Sequence, residues 1–234
     1  MIYLALDFPS WTEADQFLTE NELHGVPVKV GMELFYREGN RVIEQLKARN
    51  HKIFLDLKLH DIPTTVEKAM RNLARLEVDY VNVHALGGSE MMKRAKEGLL
   101  SGSRTHQPKL LAVTILTSMD EASMNQDLNI GGTVEEQVVH LASLANDSSA
   151  DGVVCSVHEV APIKEVCGNE FITMTPGIRL SDASEDDQKR VATPKLAKQL
   201  RTDHIVIGRS ITKAENPLKA YERAEEEWNS GTSN

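Results

Sequence analysis

Apolar residues along the chain gather into eight short runs, each followed by a longer polar stretch: IYLALD (2–7), VPVKV (26–30), KIFLDL (52–57), YVNVH (80–84), KLLAVTIL (109–116), DGVVC (151–155), FITMTP (171–176) and HIVIG (204–208). Near-continuous apolar runs of this length fit strands buried on both faces, and the stretches between them carry helical spacing. In TTVEKAMRNLARL (64–76), Val66, Met70, Leu73 and Leu76 recur every three or four residues. Strand and helix in alternation predict parallel strands joined by helical crossovers. Eight such units without a long linker favour one closed (β/α)8 TIM barrel, an α/β fold occupying residues 1–234 as a single domain.

The competing architecture is a doubly wound open sheet. Its usual fingerprint is a glycine-rich turn after the first strand, yet here that strand runs into Asp7-Phe8-Pro9-Ser10. The one long irregular stretch, 177–192, lies between the seventh and eighth runs, and a loop of that length is expected to act as a lid or binding loop. NPLKAYERAEEEWNSGTSN at the end predicts a helix and a polar tail, with Trp228 packing the helix down.

Composition narrows the partners. A net charge of −9 repels nucleic acid and anionic membrane over most of the surface, so an anionic ligand needs a local basic pocket. Cys155 and Cys167 form no CxxC pair and are expected to be reduced, buried thiols. The first residues lack the basic region of a signal peptide, and no apolar window reaches the roughly 18 residues of a membrane span. A cytoplasmic protein is expected, which makes the sequon at Asn146 a chance match.

Chemistry concentrates in the third run. Side chains of a strand alternate between faces, so Leu55, Leu57 and Leu59 face the helices while Phe54, Asp56 and Lys58 face the interior. The same parity turns Tyr3, Ala5 and Asp7 inward, and likewise Pro27 and Lys29. Asp7, Lys29, Asp56 and Lys58 then meet at the C-terminal mouth of the barrel, where barrel enzymes hold their active sites, with Asp61 just beyond. Burying such charges costs more than apolar residues would, which favours function. The bland alternative is a structural ion pair with Asp61 capping a helix at Pro63.

Pro176-Gly177-Ile178-Arg179 and Gly208-Arg209 follow the seventh and eighth strands, the usual phosphate-binding position in barrels. A guanidinium there suits bidentate phosphate contact. Other signals lapse: His158-Glu159 does not continue to HExxH, no GxSxG is present, and neither Gly87-Gly88 nor Gly131-Gly132 has the lysine of a P-loop. The first glycine pair reads as a tight turn into a helix and the second as a mobile loop. His84, with inward parity beside Asn82, reads as a polar core histidine, with lining the site as the alternative.

These residues resemble the orotidine 5'-monophosphate decarboxylase family in its compact bacterial form. DLKLHDIPTTV (56–66) is similar to that family's signature, and the resemblance extends through ALD (5–7), VKVG (28–31), VNVHALGG (81–88), LTS (116–118), PGIRL (176–180), DQKRVATP (187–194) and VIGR (206–209). It implies a cofactor-free and metal-free decarboxylase acting on a nucleotide. Asp7 would hold the ribose, Lys29 would bridge the ribose hydroxyls and the charged network, Asp56 would face the substrate carboxylate, and Lys58 would donate the proton. Thr117 would meet the pyrimidine and Pro176 would line the site. Gln188, Gly208 and Arg209 would bind phosphate, while Arg179 would help close over it. A homodimer is implied, with Asp61, Ile62 and Thr65 entering the neighbour's site.

The chain departs from the pattern at Thr64, Leu86 and Ser210, none a catalytic position, and without a fused transferase domain it is expected to perform one step only. Flanked by Asp56 and Asp61, Lys58 is expected to stay protonated. Two rivals remain: a metal-dependent phosphosugar decarboxylase or aldolase of the same superfamily, and a silent nucleotide-binding barrel.

Overall fold

The computed structural model describes residues 1–181 and 192–231. Its eight strands close a parallel barrel in sequence order, β1 (Ile2–Ala5), β2 (Val28–Gly31), β3 (Ile53–Leu59), β4 (Tyr80–His84), β5 (Lys109–Val113), β6 (Gly152–Val154), β7 (Ile172–Thr175) and β8 (His204–Ile207), with β8 pairing back onto β1. Each lies within one of the eight apolar runs except β2 and β3, which extend by one residue and by two residues beyond theirs.

The crossovers carry α1 (Trp11–Glu20), α2 (Met32–Glu38), α3 (Asn40–Ala48), α4 (Pro63–Ala74), α5 (Gly88–Gly102), α6 (Glu121–Asp127), α7 (Val134–Asp147), α8 (Val160–Cys167) and α9 (Pro194–Gln199). Beyond β8 come α10 (Arg209–Thr212) and α11 (Pro217–Ser230). Helix α4 begins with Pro63, whose missing N–H would be unpaired there in any case. Its cap position is Ile62, and the exposed Asp61 carboxylate accepts from the Ile62 N–H instead, so the capping alternative for Asp61 fails. Val66 and Met70 are buried as the spacing predicts, and Trp228 packs under a Lys198 ammonium. Gly88 opens α5 with a left-handed φ of 83°, in line with its reading as a tight turn. Of the cysteines, Cys155 is buried, but Cys167 sits in the last turn of α8 and is only half-buried. No helix among the described residues is long and apolar enough to cross a membrane.

Two apolar layers result. Leu4, Val28, Leu55, Val81, Ala112, Val153 and Ile205 pack outward against the helices, while Tyr3, Phe54, Tyr80, Leu111, Met174 and Val206 fill the interior. Three aspartates pin the lower rim: Asp79, Asp151 and Asp203, each just before an even-numbered strand, accept from the N–H of Ile53, Leu110 and Thr173 at 2.7, 2.7 and 2.8 Å. Tyr3, Phe54 and Tyr80, packed edge to face around Tyr3, plug the interior toward its N-terminal end, and a cavity opens at the other.

In that plug the partly buried His204 ring lies against Tyr3, with the Tyr80 hydroxyl 2.8 Å from its Nε2. Burial, reinforced by the N-terminal amine, pushes its pKa down to about 4. The unfolded chain therefore takes up this proton near pH 6.5 and the folded chain only near 4, so stability is full above 6.5 and declines as pH falls through that window. We expect the wild type to lose on the order of 1–2 kcal/mol from this group between pH 7 and 4.5. Urea unfolding should show that loss reduced in His204→Gln; equal acid sensitivity in both proteins would sink the assignment.

Candidate active site

At the open end a cavity of about 600 Å³ stands over a floor of Ala5, Phe54, Val113, Val154 and Val206. Its wall carries four charged side chains of alternating sign. Lys29 Nζ lies 2.9 Å from Asp7 Oδ1 and 3.6 Å from Asp56 Oδ2, and Lys58 Nζ lies 2.7 Å from Asp56 Oδ1. The inward parity predicted for three strands thus brings these four residues together. Gly31 leaves room for the pairing, since a Cβ there would come within 3.3 Å of Lys29 Nζ.

The two central groups, Asp56 and Lys29, are held ionised by their neighbours. Burial pushes the Asp56 carboxyl up, but Lys29 and Lys58 outweigh it and hold the group below its ordinary value. Burial likewise works against the Lys29 ammonium, and Asp56 and Asp7 outweigh it, raising its pKa. A chain of fixed charges in a half-enclosed site needs little reorganisation to meet a developing charge of either sign.

Lys58 departs from an ideal strand. Its φ is 51°, in the left-handed region, at a cost of roughly 1–3 kcal/mol for a residue that is not glycine. The β3–β4 pairing passes from Leu55–Val81 to Leu59–Val83, so a bulge occupies Asp56, Leu57 and Lys58. Strain at the residue with the most reactive side chain is an observation that points to function.

Opposite the charged wall, loops after β7 and β8 bring Arg179, Arg209 and Lys213 to the same cavity. Gly177, with φ 79°, turns the chain into this loop, and Ile178 and Ala192 form a parallel bridge at its base, with the Arg179 N–H donating to the Ala192 carbonyl at 2.9 Å. Among the described residues the lining therefore holds five cationic side chains against two carboxylates, in a chain of net charge −9. That is the local basic pocket an anionic ligand requires.

Thr117, Pro176 and Gly208 also line the cavity. Asp61, Ile62 and Thr65 do not: they are exposed, Ile62 at 67%. Gln188 lies outside the described residues, as does most of the loop expected to act as a lid. His84 does not line the cavity; it is half-buried with its ring 5.6 Å from that of His60. Lys213 and Asn82 were not singled out from the sequence. Lys213 follows a four-residue helix that has no periodic signature, and Asn82 shares the inward parity of YVNVH with Tyr80 and His84, so nothing in the run sets it apart. Among the described residues no three His, Cys, Asp or Glu side chains group as a metal site.

Fold and site together define a (β/α)8 barrel that receives a phosphorylated or otherwise anionic small molecule against a lysine–aspartate chain. Residues 1–224 match the orotidine 5'-phosphate decarboxylase / HUMPS family, and the chain belongs to it. An orotidine 5'-phosphate decarboxylase of Bacillus cereus strain G9842 is 57% identical over 97% of this chain and 96% of that protein. One from Bacillus mycoides is 56% identical over the same shares. The crystal structure of the enzyme from Lactobacillus acidophilus superposes with a TM-score of 0.86 at 44% identity, covering 97% of this chain and 98% of that one. An uncharacterized conserved protein from Geobacillus kaustophilus gives 0.87 at 46%, covering 98% and 100%.

Proposed function

We propose that this chain decarboxylates orotidine 5'-monophosphate to uridine 5'-monophosphate and CO2, the last step of de novo pyrimidine nucleotide synthesis, as one catalytic unit without a cofactor. The observation that carries the reading is the Asp7–Lys29–Asp56–Lys58 chain on the wall of a cation-rich cavity. The family and its named relatives support the substrate.

The C6–carboxylate bond breaks and its electron pair stays on C6 in an orbital the ring cannot delocalise. Lys58 stabilises that carbanion and passes an Nζ proton to C6, giving the product; the amine then regains a proton from solvent. Asp56 holds the ammonium at 2.7 Å and, beside the substrate carboxylate, makes the ground state less favourable. Asp7 and Lys29 hold the ribose, Thr117 and Pro176 border the pyrimidine, Gln188, Gly208 and Arg209 take the phosphate, and Arg179 helps to close over it. Asp61, Ile62 and Thr65 serve the site of a partner in a cytoplasmic homodimer; their exposure outside the cavity supports this.

Ultraviolet absorbance of purified protein with orotidine 5'-monophosphate, with and without EDTA, tests the reading. Conversion that resists the chelator is expected. No conversion by folded protein would overturn it in favour of the phosphosugar enzyme or the silent barrel, and conversion abolished by EDTA would overturn the absence of a metal.

A further inference from the structure

Three residues of β3, Asp56, Leu57 and Lys58, stand opposite a single residue of β4, Asn82, because the register passes from Leu55–Val81 to Leu59–Val83. A bulge of this kind leaves backbone groups without ladder partners. The Asn82 side chain, 1% exposed, supplies one: the Lys58 N–H donates to its Oδ1 at 2.7 Å. Its Nδ2 donates in turn to Asp56 Oδ1, also at 2.7 Å, the same oxygen that receives the Lys58 ammonium. One carboxamide therefore spans the bulge, gripping the backbone of the lysine and the carboxylate that aims it.

We propose that Asn82 is a positioning residue for the reaction: its carboxamide locks the bulge so that Lys58 keeps its left-handed backbone and its ammonium stays on Asp56. The proposal rests on the decarboxylase reading for its kinetic consequence but not for its structural one. An apolar residue at this position would fill the space and leave the Lys58 N–H buried without a partner. The backbone at Lys58 would then relax toward an ordinary strand and carry Nζ away from its place. Misplacement of a catalytic group by about 1 Å costs on the order of 10²-fold.

Asn82→Ala and the near-isosteric Asn82→Leu test this with two readouts. The first is the ¹³C titration of the Asp56 carboxyl in the free protein. Asp56 loses a donor to its charged form, so its midpoint should move to higher pH. The second is kinetic: kcat should fall by about 10–100-fold while the Kd for uridine 5'-monophosphate changes less than about threefold, since the phosphate and ribose contacts are untouched. An unmoved titration midpoint overturns the proposal, as does a loss of product affinity equal to the loss of kcat. Failure of both variants to fold would also overturn it, making Asn82 a residue of barrel stability alone. If the wild type does not turn over orotidine 5'-monophosphate, the decarboxylase reading fails, and the titration still decides whether Asn82 governs the Asp56–Lys58 pair.

Discussion

Lys58→Ala is expected to remove at least about 10⁴ from kcat while leaving uridine 5'-monophosphate bound about as tightly as before. The size follows from two roles resting on one ammonium: proton transfer contributes about 10²–10⁴ and stabilisation of developing charge about 10²–10³. Product contains no carbanion, so its affinity should barely register the change. Single-turnover kinetics and equilibrium titration of the product check the two halves separately. Retention of activity within tenfold would remove Lys58 from the chemistry. The same variant probes the shared site. Mixed with inactive Asp61→Ala and allowed to exchange subunits, it should recover about a quarter of wild-type activity, because half the dimers are mixed and each holds one intact site. No recovery after verified exchange would return Asp61 to its own chain.

Arg209→Ala is expected to lower kcat/KM for orotidine 5'-monophosphate by at least about 10²-fold. A bidentate guanidinium contact with phosphate supplies two charge-assisted hydrogen bonds of about 1.5–3 kcal/mol each. Binding energy from a remote phosphate is used to hold the reacting end against the charged wall, so kcat should fall together with affinity. Orotidine, which has no phosphate, provides the control: its slow turnover should be indifferent to the substitution. A variant equally impaired on both substrates would have lost the fold of its β8 loop rather than a phosphate contact, and an unchanged kcat/KM would remove Arg209 from the site.

What could be read along the chain depended on how local the cause was. The eight strands were legible because parallel strands buried on both faces leave continuous apolar runs, and each run overlaps its strand. Asp7, Lys29, Asp56 and Lys58 were legible through strand parity, a property of neighbouring residues. The bulge at Lys58 was not, because register is decided by pairing with β4 some two dozen residues away. Nor was the double grip of Asn82, which appears as one polar residue in an apolar run until its partners are known. The aspartates of the lower rim, Asp79, Asp151 and Asp203, resemble ordinary loop residues until each is seen to accept from a backbone N–H at the start of a neighbouring strand. Cys167 was misjudged as buried because one side of the last turn of α8 faces solvent.

The bridge between Ile178 and Ala192 pinches the chain to a neck just above β7. Both sides of the neck are held by backbone hydrogen bonds that involve no side chain inside the loop. The closure entropy of a loop grows only logarithmically with its length, by about 0.6 kcal/mol for each doubling. On that scale a change in the length of the stretch beyond the neck costs the barrel little in closure entropy, and what it would give up among the described residues is the Ser181 hydroxyl's bonds to Glu227 and Arg223 on α11.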